Sequence, residues 1–208
     1  MKTITEIAKK YFTDKGIELI HEGRNIAHGY SVLYDRYFGH MRNDTLNILE
    51  IGLGDAAGSA FLWAEVFPNA QIYMADYDHN KINRFMPQVP KNVHMIYADQ
   101  SNRNSLNNLS SQIPNNMDII IDDGSHKNDH IILSFDVLFP KLKDGGVYII
   151  EDTYQSYTES GETPIMFFKD IIDRINDYLS DKKDIYGINS IHFYRNLILV
   201  FKGEKITK

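Results

Sequence analysis

The chain has 208 residues, enough for one domain with a substantial core. Its formal net charge of −6 and the lack of a long basic stretch speak against a nucleic-acid partner. Cysteine is absent, which excludes disulfides, thiolate metal sites and a cysteine nucleophile, and no apolar run is long enough to insert in a membrane.

Residues 1–44 read as a helical preface: Ile4, Ala8 and Tyr11 fit one helical face, and Tyr30, Leu33, Tyr34 and Tyr37 fit another. The opening residues Met1 to Glu6 are polar and acidic too early for a signal peptide, so the expected compartment is the cytoplasm. The preface is expected over the carboxyl ends of the strands, as a lid or a stabilising layer.

From about residue 45 strands and helices alternate. Leu46–Ile51 reads as a strand, Gly52–Ser59 as a tight turn and Ser59–Val66 as a helix stopped by Phe67-Pro68-Asn69. Further strands are read at Gln71–Ala75, ending in Asp76, and at Val93–Tyr97, followed by Asp99-Gln100. Ile119-Ile120-Ile121 ends in Asp122-Asp123-Gly124-Ser125-His126, and Val147–Ile150 ends in Glu151-Asp152-Thr153. Lys141–Gly146 reads as a helix exit and turn. Strands apolar on both faces need helices on both faces, and the βα rhythm implies a parallel sheet. Pro164 to Leu179 has helical periodicity. Ser190–Tyr194 and Leu197–Phe201 are too close for a crossover and read as an antiparallel hairpin. By fold analogy this is an α/β, Rossmann-like class I methyltransferase outline with a mostly parallel seven-stranded sheet and an antiparallel last strand. The expected division is 1–44 as the cap and 45–208 as the methyltransferase domain.

Two ends of the sheet carry chemistry. Backbone amides of a turn containing Gly52, Gly54 and Gly58, with a helix starting at Ser59, suit a carboxylate or phosphate. Asp76 suits a ribose diol, Asp99 and Gln100 an adenine, and Glu50 the turn amides or a ligand amino group; a tight turn and helix caps are the plainer explanation. At the other end, Asp123, Glu151 and Asp152 are the expected Mg²⁺ ligands, with Asp122 facing back toward a cofactor or a backbone amide. Gly124 permits a sharp turn, and Ser125 is placed to cap a helix near Asn128. His126 is placed as a general base, with ligation or a loop contact as alternatives. Such a metal would lower the pKa of a bound hydroxyl. His28-Gly29-Tyr30, His192, Arg195, Tyr154 and Tyr157 are less specific candidates for a pocket or for structural contacts.

These residues resemble a known group. Ile48-Leu49-Glu50-Ile51-Gly52, Gly58-Ser59, Trp63, Phe67-Pro68-Asn69-Ala70, Asp76, Asp99-Gln100, Asp122-Asp123-Gly124-Ser125-His126, Leu138-Phe139-Pro140, Gly145-Gly146 and Glu151-Asp152-Thr153, with His28-Gly29-Tyr30 and Ser190–Tyr194, look like the metal-dependent, S-adenosylmethionine-dependent sugar O-methyltransferases of macrolide pathways and their cephalosporin hydroxylase-like relatives. The resemblance covers nearly the whole chain. It implies S-adenosylmethionine and Mg²⁺ as cofactors. It also implies Asp123, Glu151 and Asp152 as metal carboxylates, His126 as the base beside Asp123, and Glu50, Asp76, Asp99 and Gln100 at the donor. Asp55-Ala56-Ala57 departs from the small or basic residue and extra glycine that relatives often carry there. The macrolide enzymes carry a large amino-terminal domain that these residues do not match. The expected acceptor is therefore a hydroxyl of a glycan, nucleotide sugar or other small molecule, and a homo-oligomer stays open. Rival readings are a non-catalytic S-adenosylmethionine- or nucleotide-binding module and an NAD-dependent oxidoreductase. The first has no need of His126 beside acids; the second is disfavoured by the loose glycine spacing and the antiparallel end.

Overall fold

Alternation along the strands decides the architecture, because successive side chains leave a strand on opposite faces. The computed structural model describes residues 2–158, 160–177 and 186–203. In chain order it contains α1 (Ile4–Lys10), β1 (Ile20–His21), β2 (Arg24–Asn25), α2 (Tyr30–Phe38), β3 (Asn47–Ile51), α3 (Gly58–Val66), β4 (Gln71–Asp76) and α4 (His79–Phe85). There follow β5 (Val93–Tyr97), α5 (Arg103–Gln112), β6 (Met117–Asp122), α6 (Asn128–Leu138), β7 (Leu142–Glu151), α7 (Pro164–Asn176), β8 (Ile188–Tyr194) and β9 (Leu197–Lys202).

The main sheet has seven strands in the order β5-β4-β3-β6-β7-β9-β8. β5, β4, β3, β6 and β7 are parallel, and β9 enters antiparallel to both β7 and β8. This is the class I methyltransferase arrangement expected above. The chain order reverses between β3 and β6, where doubly wound sheets open a crevice at their carboxyl ends.

Two cores follow from the alternation. Ile48, Ile72, Ile119, Ile121, Val147 and Ile149 face Ile4, Ile7, Tyr34, Leu62 and Trp63 of α1, α2 and α3. Leu49, Ile120, Tyr148 and Ile150 face Leu106, Leu109, Ile131, Phe135 and Phe168 of α5, α6 and α7. Helices α1 and α2 thus supply one wall of the central core. The loop between them lies over the carboxyl ends of the strands, where Phe12, Thr13, Asp14 and Lys15 line a cavity.

Three local readings need correction. The preface is not wholly helical: β1 and β2 form a small antiparallel hairpin inside it. Leu142–Gly146 is strand, not turn. Gly145, at φ 79°, and Gly146 pass the irregular register between Met117 and Ile119, and a Cβ on Gly146 would lie 3.0 Å from the Met117 carbonyl oxygen. Helix α7 ends at Asn176; Leu179 lies outside the described residues.

Candidate active site

Alternation carries through the strand ends. Glu50 and Glu151 share a face with Ile48 and Ile149, and Asp123 continues the Ile119–Ile121 row just past β6. Asp122 points to the other face. The first three therefore converge on the side covered by α1 and α2. A fourth residue meets them there. The Lys15 side chain is 1% exposed, and its Nζ lies 2.5 Å from Asp123 Oδ2, 2.8 Å from Glu151 Oε2 and 3.4 Å from Glu50 Oε1. These acids hold the ammonium pKa well above its usual value, although burial opposes them. Burial and the neighbouring Asp123 charge push the Glu151 carboxyl up, with Lys15 opposing.

The remaining contacts of these acids come from side chains. Glu151 Oε1 accepts from the Tyr34 hydroxyl, and Glu50 Oε2 from the Trp63 indole N–H. Asp152 lies just beyond β7 in a left-handed conformation (φ 55°), which aims its carboxylate into the crevice. Its Oδ1 accepts from the Tyr30 hydroxyl at 2.7 Å, with His28 Nδ1 at 3.5 Å. Tyr30 also donates to the Asn196 carbonyl at the tip of the β8–β9 hairpin. The His28-Gly29-Tyr30 motif thus braces Asp152.

His126 is left-handed too (φ 57°). Its Nε2 sits 4.0 Å from Asp123 Oδ1 and 3.9 Å from Asp152 Oδ2. Those distances are too long for hydrogen bonds. One ligand atom from each of Asp123, His126 and Asp152 lies within 4.8 Å of the others, a donor set of hard oxygens and one imidazole that fits a divalent ion. Glu151, expected as a third carboxylate ligand, is instead turned toward Lys15 and Tyr34. Two strained non-glycine residues at one cluster are a functional signature.

The cluster opens into a cavity of about 860 Å³ lined also by Gly52, Gly54, Gly58, Ser59, Asp76, Asp99 and Gln100. Gly54, at φ 56°, faces open space, and no side chain caps the start of α3, so its first amides suit a ligand carboxylate. Asp76 accepts from the Leu53 N–H at 2.9 Å and the Asp78 N–H at 2.8 Å, which ties the glycine turn to the end of β4. Asp99 accepts from the Ser101 hydroxyl at 2.6 Å, which lowers its pKa. Gln100 donates to Asp122 at 2.6 Å and accepts from the Ser125 N–H at 2.9 Å.

Glu50, Asp122 and Glu151 do not line this cavity. Asp122 faces Gln100 and Tyr148, and burial pushes its carboxyl pKa up to about 7. Ser125 pairs with His130 Nδ1 at 2.8 Å rather than capping α6, whose N-cap is Lys127, with no side-chain cap. His192 meets the Tyr37 hydroxyl at 2.6 Å, a structural contact far from the cluster.

No protein-family model matches the chain. It is 31% identical, over 97% of its length, to mycinamicin VI 2''-O-methyltransferase of Micromonospora griseorubida. It is 31% identical, over 84% of its length, to 8-demethyl-8-alpha-L-rhamnosyl tetracenomycin-C 2'-O-methyltransferase of Streptomyces olivaceus. Its fold superposes with a TM-score of 0.81 on the MycE methyltransferase solved in complex with Mg, SAH and mycinamycin VI, at 30% identity over 97% of this chain and 54% of that one. The chain is homologous to these sugar O-methyltransferases. It spans about half the length of the curated relatives it matches, 53% and 50% for the two named.

Within this homologue, sequence reasoning missed Lys15. One signal was available. Several carboxylates gathered at one sheet edge need a cation, and the preface was the segment expected to lie over that edge. The preface also carries Lys2, Lys9, Lys10, Arg24, Arg36 and Arg42, so that signal points to a cation from the preface without singling out Lys15.

Proposed function

We propose that this protein is an S-adenosylmethionine-dependent, Mg²⁺-dependent O-methyltransferase acting on a hydroxyl of a sugar or sugar-containing small molecule. The observation that carries the reading is one continuous cavity joining the glycine turn and Asp76 to the Asp123–His126–Asp152 cluster. Homology to enzymes named as O-methyltransferases of rhamnosyl and olivosyl compounds supports the acceptor class.

When bound, the donor supplies an electrophilic methyl group and the divalent ion polarises the acceptor hydroxyl. The chain's own residues do the rest. The open α3 start and the turn at Gly54 hold the donor's carboxylate. Asp76, each oxygen already holding one backbone amide, has lone pairs left for the ribose hydroxyls. Asp99 and Gln100 form the wall beside the adenine. Asp123 and Asp152 would hold the ion, with Glu151 and Glu50 completing the acidic edge through Lys15. His126 Nε2, facing the gap between Asp123 and Asp152, takes the hydroxyl proton as the oxygen–carbon bond forms and the carbon–sulfur bond breaks. Asp123, beside it, stabilises the imidazolium.

Among the described residues no helix is long and apolar enough to cross a membrane. A cytoplasmic location and an acceptor other than nucleic acid complete the proposal, supported by the absence of cysteine and the net charge of −6.

Calorimetric titration with S-adenosylmethionine, NAD and Mg²⁺, followed by mass-spectrometric screening of glycosides for methyl incorporation, tests it. Donor binding and a chelator-sensitive mass gain of one methyl are expected. Binding of NAD without S-adenosylmethionine, or full turnover in verified metal-free buffer, would overturn it.

A further inference from the structure

We propose that Lys15 is the resident counter-ion of the acidic sheet edge: a positioning residue that holds Glu151 and Asp123 in place and weakens the binding of a divalent cation there. This rests on the reading of Asp123 and Asp152 as the residues that would hold a divalent cation, with His126 beside them.

The placement of Lys15 is built, not incidental. Its backbone loop is clamped to the start of α2. The Gly16 N–H donates to the Thr13 carbonyl at 3.2 Å, the His28 N–H to Asp14 at 2.7 Å, the Gly29 N–H to Gly16 at 2.7 Å and the Ser31 N–H to Lys15 itself at 2.7 Å. The side chain then runs 1% exposed into the edge, where three carboxylates surround the ammonium. Glu50 Oε1 is buried without a hydrogen-bond partner, so the nearby ammonium is its main compensation. Lysine is almost never fully buried unless paired.

Its effect on the cation site follows from geometry. Asp123 is shared: Oδ2 receives Lys15, while Oδ1 faces His126. Glu151 is likewise held by Lys15 and Tyr34. A divalent ion beside Asp123 would sit close to a fixed positive charge that is itself buried and so only weakly screened, and the two like charges oppose each other. The lysine thus keeps the edge assembled before the ion arrives and limits how tightly the ion is then held. It also links Glu50, under the glycine turn, to the reacting end.

The test compares the full chain with K15M, which keeps most of the stem and removes the charge. Mg²⁺ affinity is measured by calorimetry, and Tm with chelator and with saturating Mg²⁺. K15M is expected to be less stable in chelator, to bind Mg²⁺ at least tenfold more tightly, and to gain more from it. Tenfold is about 1.4 kcal/mol, a further rise of roughly 3–6 °C for a chain of this size. If K15M does not fold, K15M/E50Q, which removes a charge with its counter-ion, is expected to show the same tighter binding. A K15M Tm that falls in chelator with unchanged or weaker Mg²⁺ affinity would make Lys15 a structural residue only and overturn the proposal. If neither the natural chain nor the variant binds Mg²⁺, the cation-site reading fails together with this one.

Discussion

At the residue scale, the site is a contest between carboxylates and what neutralises them. His126 faces Asp123 and Asp152 across gaps of about 4 Å and donates no hydrogen bond to either. Its imidazole is therefore placed to receive a proton. His126→Ala is expected to fold, to bind S-adenosylmethionine nearly normally and to lose roughly 10²–10⁴-fold in turnover; parallel calorimetry and rate measurements check both halves. Asp122 makes a separate, pH-dependent prediction. Its carboxyl is raised by burial to about 7, from an ordinary 3.8. Its contribution to stability is thus full below about pH 4 and is lost as pH rises through about 7. Asp122→Asn, neutral throughout and able to keep partners in Gln100 and Tyr148, should flatten that loss. Urea unfolding at pH 5 and pH 8 should show a smaller decline than in the natural chain, by on the order of a few kcal/mol. An identical decline in both would mean that Asp122 is ionised in the folded chain.

At the element scale, two glycines of one turn have different reasons to exist. Gly52, at φ 102°, ends β3 where the chain after β6 comes closest: a Cβ there would lie 2.0 Å from the Asp123 carbonyl oxygen. Gly54 is also left-handed but faces open space. Gly52→Ala must therefore push apart the two strand ends that set the site, and is expected to cost at least about 3 kcal/mol and to weaken Mg²⁺ binding. Gly54→Ala carries only the left-handed penalty of about 1–2 kcal/mol. Thermal unfolding of the two variants, with Mg²⁺ titration of whichever folds, checks the ordering. The same logic explains Gly145-Gly146. Read alone, the pair looks like a turn. Beside β6 it becomes an irregularity of the strand, where Gly145 takes a left-handed φ of 79° and a Cβ on Gly146 would crowd the Met117 carbonyl at 3.0 Å.

At the scale of the whole molecule, the N-terminal segment belongs to both core and site. Ile4, Ile7 and Ala8 of α1 are at most 3% exposed and share one core with Leu62 and Trp63, while the following loop supplies Lys15. Removing residues 1–28 would expose that face of α3 and leave Glu50, Asp123 and Glu151 without their ammonium. Such a truncation is expected to lose cooperative unfolding, with early proteolysis within α3. A sharp transition near that of the full chain would show instead that the preface is a dispensable cover.

The sequence by itself determined the seven strands of the main sheet, the antiparallel ending and the carboxylate-rich crevice, but not the β1–β2 hairpin of the preface. Each is local: short continuous apolar runs such as Ile119–Ile121, glycine turns, and a two-residue gap at Arg195-Asn196 too short for a crossover. It also placed Asp123, His126 and Asp152 at one sheet edge. Only the tertiary structure decided how the acids divide their labour. Lys15 is 108 residues from Asp123 and 136 from Glu151, while Trp63 of α3 reaches Glu50 and Tyr34 and Tyr30 of α2 reach Glu151 and Asp152. No local pattern encodes such pairings, because a buried charge is compensated by whatever cation or donor the packing brings within about 3 Å.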